Sequence, residues 1–349
     1  MPDIDCFKIA GGCPSGGAIK MRKLTHELVM GSVLVVALAA GFGLNIQAQT
    51  RTSNTVQETD DKVKVDLYTK FVDNYKNNRP LAYQTAKDYL QRYAKENDQY
   101  SEYVQLWVAE YEREDRLRQL RRLVFDDRNF AEAFKLGKQV MTENPNHLDS
   151  LVALANAGYL AANARNETFN TEALAYAQNA IGQVESGKAP ETWDPFKGKP
   201  DTLAYLYATV GLMKLKNNPS ESIDAILKTE SLDSDLKKLP TLYYYLARAY
   251  ETGPYAKLSA DYQAKFAGKP ESAESKQALE KLGQVIDRIV DAYARAVAAT
   301  GTDAQYAANR TAWMTTLTNY YKFRHQDSDA GLTDYVAKVL STPIMTKPQ

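Results

Sequence analysis

Cysteine is almost missing from this chain. Its two cysteines, Cys6 and Cys13, both fall within residues 1–20. Nothing after Ala48 can therefore form a disulfide, supply a thiolate nucleophile or bind a metal through sulfur. Histidine is nearly as scarce. Of three in the chain, only His147 and His325 lie beyond Ala48. One follows a Pro-Asn turn and the other sits in a polar stretch, so both read as exposed turn residues, and no pair has metal-ligand spacing. No G-x-S-x-G elbow occurs, and no Gly-rich phosphate loop follows a strand pattern. An excess of either charge is also lacking: 43 Lys and Arg face 43 Asp and Glu. With no long basic run, the electrostatic footprint of a nucleic-acid binder is missing. The expectation is a protein with no cofactor, no metal and no nucleic-acid partner. A glycosidase-type pair of acids drawn from distant segments is the one catalytic arrangement the pattern leaves open.

Long apolar runs are limited to one. Met21-Arg22-Lys23 opens a short basic segment, and Leu28 to Leu44 is free of charge. The run ends in Asn45-Ile46-Gln47-Ala48, a small-residue site of the kind a signal peptidase cuts. Residues 21–48 thus read as a signal peptide, with the mature chain starting near Gln49 in the periplasm or cell envelope. The alternative is an uncleaved membrane anchor over residues 28–44, because the run is close to bilayer-spanning length. A membrane is a partner only if that segment is retained. Residues 1–20 carry Gly-Gly and Pro-Ser-Gly-Gly without apolar periodicity, and read as an upstream extension with Met21 as the true start. Residues 49–62, polar and rich in Thr and Asp, read as a linker.

From Val63 onward the apolar residues recur at helical period. Leu67, Phe71 and Tyr75 form one stripe, and Ala82, Ala86, Tyr89 and Tyr93 form the next. Tyr103 to Val124 reads as a single long helix with Tyr103, Leu106, Trp107 and Tyr111 in its apolar stripe. Its charge-dense middle is a solvated face rather than a basic patch, because Glu112, Glu114 and Asp115 offset the arginines. Helices from Phe130 to Glu143 and from Leu148 to Ala162 flank the break at Asn144-Pro145-Asn146. Further helices begin at Thr171, Asp201, Pro219 and Leu239, the last ended by Gly253-Pro254. A long helix spans Ser275 to Ala299. The final hairpin has one helix carrying Trp313 and another starting near Leu332. The stretch around Trp193, Pro195 and Phe196 reads as a loop whose aromatics tuck onto the helices.

Ala133, Gly137 and Pro145 stand at offsets that Gly331 and Pro343 repeat in part near the end of the chain. Tyr243, Leu246, Ala247 and Tyr250 resemble the W-x-x-L-G-x-x-Y core of the tetratricopeptide-repeat (TPR) family, with Tyr for Trp and Ala for Gly. The resemblance implies an all-α fold: a right-handed superhelical solenoid of antiparallel helix pairs over residues 63–343, with a tail at 344–349. It implies about six hairpins with insertions, because Ala133 and Ala173 lie further apart than the ~34-residue family period. It also implies a non-catalytic adaptor or scaffold that binds a protein or peptide along a concave face. Carried over position by position, that face is lined by Asn156, Tyr159, Tyr244, Arg248, Thr318 and Tyr321. The 23 tyrosines of the chain suit such contacts, since the ring is rigid and amphipathic. The carboxylate clamp of the chaperone-binding members is not matched beyond Asn156, with Val152 at its early position. The competing readings are a helical-repeat enzyme acting on envelope polymers and a membrane-anchored assembly factor. The pattern carries no signal of oligomeric state.

Overall fold

The computed structural model describes residues 48–346, with side chains from Thr59 onward. The extension at 1–20 and the apolar run at 28–44 lie outside the described residues. Everything described is helix, turn or loop, without a strand. The helices are α1 (Ala48–Asn74), α2 (Arg79–Tyr93), α3 (Gln99–Phe125), α4 (Phe130–Glu143), α5 (Leu148–Asn163), α6 (Asn170–Glu185) and α7 (Lys199–Lys214). They continue as α8 (Pro219–Ser231), α9 (Pro240–Tyr250), α10 (Ala256–Phe266), α11 (Ala273–Ala299), α12 (Ala307–Arg324) and α13 (Leu332–Lys338).

The chain divides at Lys62/Val63 into two units. That boundary falls within α1, so residues 49–62 are helical. A polar stretch suits a solvated helix as well as a loop when acidic residues precede basic ones by four positions, as Asp60 precedes Lys64 and Asp66 precedes Lys70.

The helix starts are specified locally. Asn78, Asp98, Asn129, Asn218 and Ser272 each accept a hydrogen bond from the backbone N–H three residues on. Such caps satisfy donors that a helix leaves unpaired in its first turn. Pro80, Pro200, Pro219 and Pro240 occupy first-turn positions, where a missing N–H costs little. His147 is a cap as well, its Nδ1 accepting from the Ser150 N–H at 3.3 Å. It is half-buried rather than exposed, while His325 is exposed as expected.

Asp98 adds an ion pair to its cap. Its carboxylate lies 2.5 Å from the Lys64 ammonium. That bond, helped by the Ser101 N–H, holds the carboxyl down at about 2. A depressed carboxyl stabilises the fold above the ordinary carboxylate range, and the contribution is lost as pH falls toward 2. Asp98→Ala is expected to cost about 0.5–2 kcal/mol at neutral pH. The melting curves of variant and wild type should converge as pH approaches 2.

Helices pack in pairs: α5 with α6, α7 with α8, α9 with α11 and α11 with α12. In addition, α3 touches α5 and α5 touches α7. Small residues set the spacing. Ala133 and Ala173 are fully buried, and a Cβ built on Gly158 of α5 would fall 2.1 Å from that of Ala173 on α6.

The pairing of α9 departs from expectation. Gly253-Pro254 does not end the chain's helical run. It sits in a widened π-turn, Glu251–Tyr255, that leads directly into α10. There the Ala256 N–H reaches back to the Glu251 carbonyl. A turn that lengthens its bonds in this way tolerates the proline's missing donor. Gly253 is needed for approach rather than termination, because a Cβ there would sit 2.7 Å from that of Pro219 on α8.

Candidate functional site

The six residues expected to line one concave channel do not share one surface. Asn156 and Tyr159 on α5 are buried. The Tyr159 ring meets Tyr205 of α7 edge-on at 6.1 Å, and burial pushes its phenol up. Among the described residues the Asn156 Oδ1 has no hydrogen-bond partner. Tyr321 on α12 is also buried. It donates to the Ala330 carbonyl at 3.1 Å and stacks on His325. These three are packing residues. Nearly every position of α5 is covered, so lying off the apolar stripe does not place a residue at the surface.

Tyr244 and Arg248, one turn apart on α9, do come together. Tyr244 stacks on Trp313 of α12 with ring centres 5.0 Å apart. Arg248 donates to the Glu251 carboxylate at 2.5 Å, and the Tyr293 hydroxyl of α11 donates to the same carboxylate at 3.1 Å. Burial, together with the Glu251 charge, pushes the Tyr293 phenol up. Both side chains are thus engaged in packing and pairing at the π-turn. Thr318 lies elsewhere, in an open groove of about 450 Å³ that also has Val297, Arg310, Met314, Thr333 and Val336 in its walls. Its hydroxyl returns to the Met314 carbonyl at 2.8 Å.

The side-by-side helices α3, α5 and α7 are covered at one end by the chain's own loop, residues 186–198. Arg121 of α3 donates to the Asp194 carbonyl at 2.8 Å and to its carboxylate at 3.0 Å. Phe196 meets Phe125 of α3 at 6.1 Å and Tyr205 of α7 at 5.1 Å. The Glu191 N–H donates to the Asp149 carboxylate of α5 at 3.0 Å. Trp193 and Phe196 pack onto the core of α5 to α7, so these aromatics tuck inward as the sequence suggests.

The other end of the same face is open. At about 3.6 residues per turn, Tyr103 and Arg121 fall on one side of α3, as do Trp107 and Phe125. Near Tyr103 no loop among the described residues covers it. Leu106 is 73% exposed, and Tyr100 and Tyr103 are exposed beside it. From α1, Val65 is 63% exposed and Val72 is also open. Five of the nine strongly exposed large apolar side chains among the described residues thus lie on α1 and α3. Scattered single apolar residues are ordinary on a surface, whereas a contiguous group marks an interaction site.

Two of its members, Tyr100 and Tyr103, are fixed by ring contacts. Tyr68 meets Tyr100 at 4.9 Å, and Phe71 meets Tyr103 and Trp107 at 6.2 and 5.1 Å. The ascending order of those contacts shows that α1 and α3 run side by side in one direction. Trp107 stacks on Tyr111, and Tyr111 on Tyr83 of α2. The Arg79 guanidinium lies 5.9 Å from the Trp107 ring and pairs with Glu114 at 2.7 Å. The sequence pattern put Leu106 and Tyr103 in a buried stripe, and the structure turns both outward. The signal for two faces was present: Tyr103-Val104-Gln105-Leu106-Trp107-Val108 is apolar over too wide an arc for one contact. Val104 and Val108 fill the inner face, which leaves the rest outward.

Among the described residues, no three His, Cys, Asp or Glu side chains gather as a metal site, and no helix is long and apolar enough to cross a membrane. Compared with protein-family models, curated proteins and solved structures, the chain matches none of them.

Proposed function

We propose that this protein is a non-catalytic helical-repeat adaptor that holds a protein or peptide partner against the open face of α1 and α3. The observation that carries the reading is the concentration of exposed Val65, Val72, Tyr100, Tyr103 and Leu106 on two adjacent helices. Apolar area with phenol hydroxyls at its edge suits a protein surface. Charged groups stand at the margin, where Arg79 pairs with Glu114 and Lys64 with Asp98, matching the apolar centre and polar rim of a protein interface. The alignment of α3, α5 and α7 supports a solenoid of the tetratricopeptide type. Met21-Arg22-Lys23 and the uncharged run after it support an exported setting, with the adaptor working in a bacterial cell envelope.

The test is capture of the partner from envelope extract by tagged wild type and by a Tyr103→Ala, Leu106→Glu double variant. Both side chains are exposed, so helical circular dichroism and melting are expected to stay near wild type. Capture is expected to fall at least about tenfold, because a central Tyr is the type that often dominates interface energy and the new Glu would be buried without a partner. A folded double variant that captures the same partner undiminished defeats the proposal.

A further inference from the structure

Beyond α13 the chain makes one short 3₁₀ turn (Val339–Ser341) and then runs along α11 as an irregular strap, residues 342–346. Thr342 is extended, with φ −105° and ψ 152°. Of the strap's side chains only Ile344 is half-buried, and the others are exposed. Beneath it lies a charged pair that is all but sealed from water: Asp291 and Arg295, each 2% exposed, with Arg295 Nε donating to Asp291 Oδ2 at 2.9 Å.

The strap is read almost wholly through its main chain. Arg295 Nη2 donates to the carbonyls of Thr342 and Pro343 at 2.9 and 2.8 Å, and more weakly to the Thr342 hydroxyl at 3.3 Å. The Met345 N–H donates to Asp291 Oδ2 at 3.3 Å. Arg288, two turns earlier on α11, donates to the Thr346 carbonyl. Tyr335 of α13 completes the site by donating to Asp291 Oδ1 at 3.3 Å. Burying two charges is costly, and an apolar closure of the same volume is often as stable. A buried pair whose spare donors and acceptor meet peptide groups is suited to recognising peptide. Because it touches carbonyls and an N–H, it accepts most sequences in extended form, with a pocket preference only where Ile344 meets the core. An irregular segment with one half-buried apolar anchor and otherwise exposed side chains is also the kind that opens without global unfolding.

We propose that the slot formed by Arg288, Asp291, Arg295 and Tyr335 is a binding site for an extended polypeptide, with residues 342–346 as its intramolecular occupant. The ligand is an extended segment of another protein carrying a β-branched apolar residue at the Ile344 position, and it binds by displacing the strap. The site is separate from the α1/α3 face and does not rest on that reading. A tethered occupant competes at an effective concentration of about millimolar, so the wild-type slot is closed to weak ligands.

The probe is a fluorescent peptide of residues 341–349, S-T-P-I-M-T-K-P-Q, tracked by anisotropy. A variant ending at Ser341 is expected to bind it saturably, at least about tenfold more tightly than the full chain does. The peptide carrying Asp at the Ile344 position is expected to fail. Should the shortened protein not fold, the full-length Ile344→Asp variant lifts the strap without removing it and should bind the unmodified peptide with the same advantage. In the wild-type chain the Met345 amide is expected to exchange with solvent at least about 100-fold faster than that of Ile289. Equal exchange of the two amides overturns the proposal. So does a folded, strap-free variant with no peptide binding, or equal binding by full-length and strap-free proteins.

Discussion

Asp291→Ala is expected to lower stability by about 3–5 kcal/mol, the cost of leaving one member of a buried ion pair alone. Arginine cannot shed its proton in a protein, so Arg295 would remain charged in a site where it is 2% exposed. The Tyr335 hydroxyl and the Met345 N–H would lose their acceptor in the same step. Replacing both partners, as in Asp291→Leu with Arg295→Met, should recover much of the loss, because a matched apolar pair needs no counter-charge. Urea denaturation of the three proteins measures this. A loss below about 1 kcal/mol in Asp291→Ala would show that water or a neighbouring group reaches the guanidinium.

Gly158→Leu is expected to cost about 3 kcal/mol, the upper end of overpacking effects. A Cβ at Gly158 would lie 2.1 Å from the Cβ of Ala173, and the Ala173 Cα stands 3.5 Å away. Neither atom is the end of a flexible chain, so α5 and α6 must separate. Gly182, also helical, provides the control. Nothing lies within 4 Å of a Cβ there, and Gly182→Ala is expected to stabilise by about 0.5–1 kcal/mol through helix propensity alone. Thermal melts that moved together in the two variants would contradict the close α5/α6 crossing.

Much of the helix layout was legible because it is encoded locally. Phe130 to Glu143 is delimited by the Asn129 cap and by Pro145, and the structure ends α4 at the expected residues. Ala133 of α4 is fully buried. Other features depend on contacts that a single segment does not carry. Gly253-Pro254 has the composition of a helix stop, yet the glycine is there for Pro219 of α8 and the proline is absorbed by a π-turn.

The candidate site was the least legible part. Carrying over a concave lining assumes an inner face open along its length, whereas the loop around Trp193 and Phe196 covers α3, α5 and α7. Tyr159 is taken off the surface separately, by Ala204, Tyr205 and Ala208 of α7 and by Leu236. Tyr244 and Arg248 do share a face of α9, but Trp313 and Glu251 already engage them. Asp291-Ala-Tyr-Ala-Arg295 has the same spacing as any solvated helical ion pair. Tyr335 of α13 and the strap, dozens of residues away in sequence, help to make it a buried one. Leu106 resembles a core residue only while a single stripe is drawn through α3, and the packing uses two.

The central claim is that the open face of α1 and α3 is the working surface. It is tested most directly by placing a photo-crosslinking residue at Leu106 in the native cell, with Phe323 as a control of comparable exposure on another helix (73% and 60%). Illumination is expected to yield a discrete higher-mass adduct from position 106 and none from position 323, and the added Tyr103→Ala change should abolish it. No adduct at position 106, or the same adduct from both positions, would contradict the account.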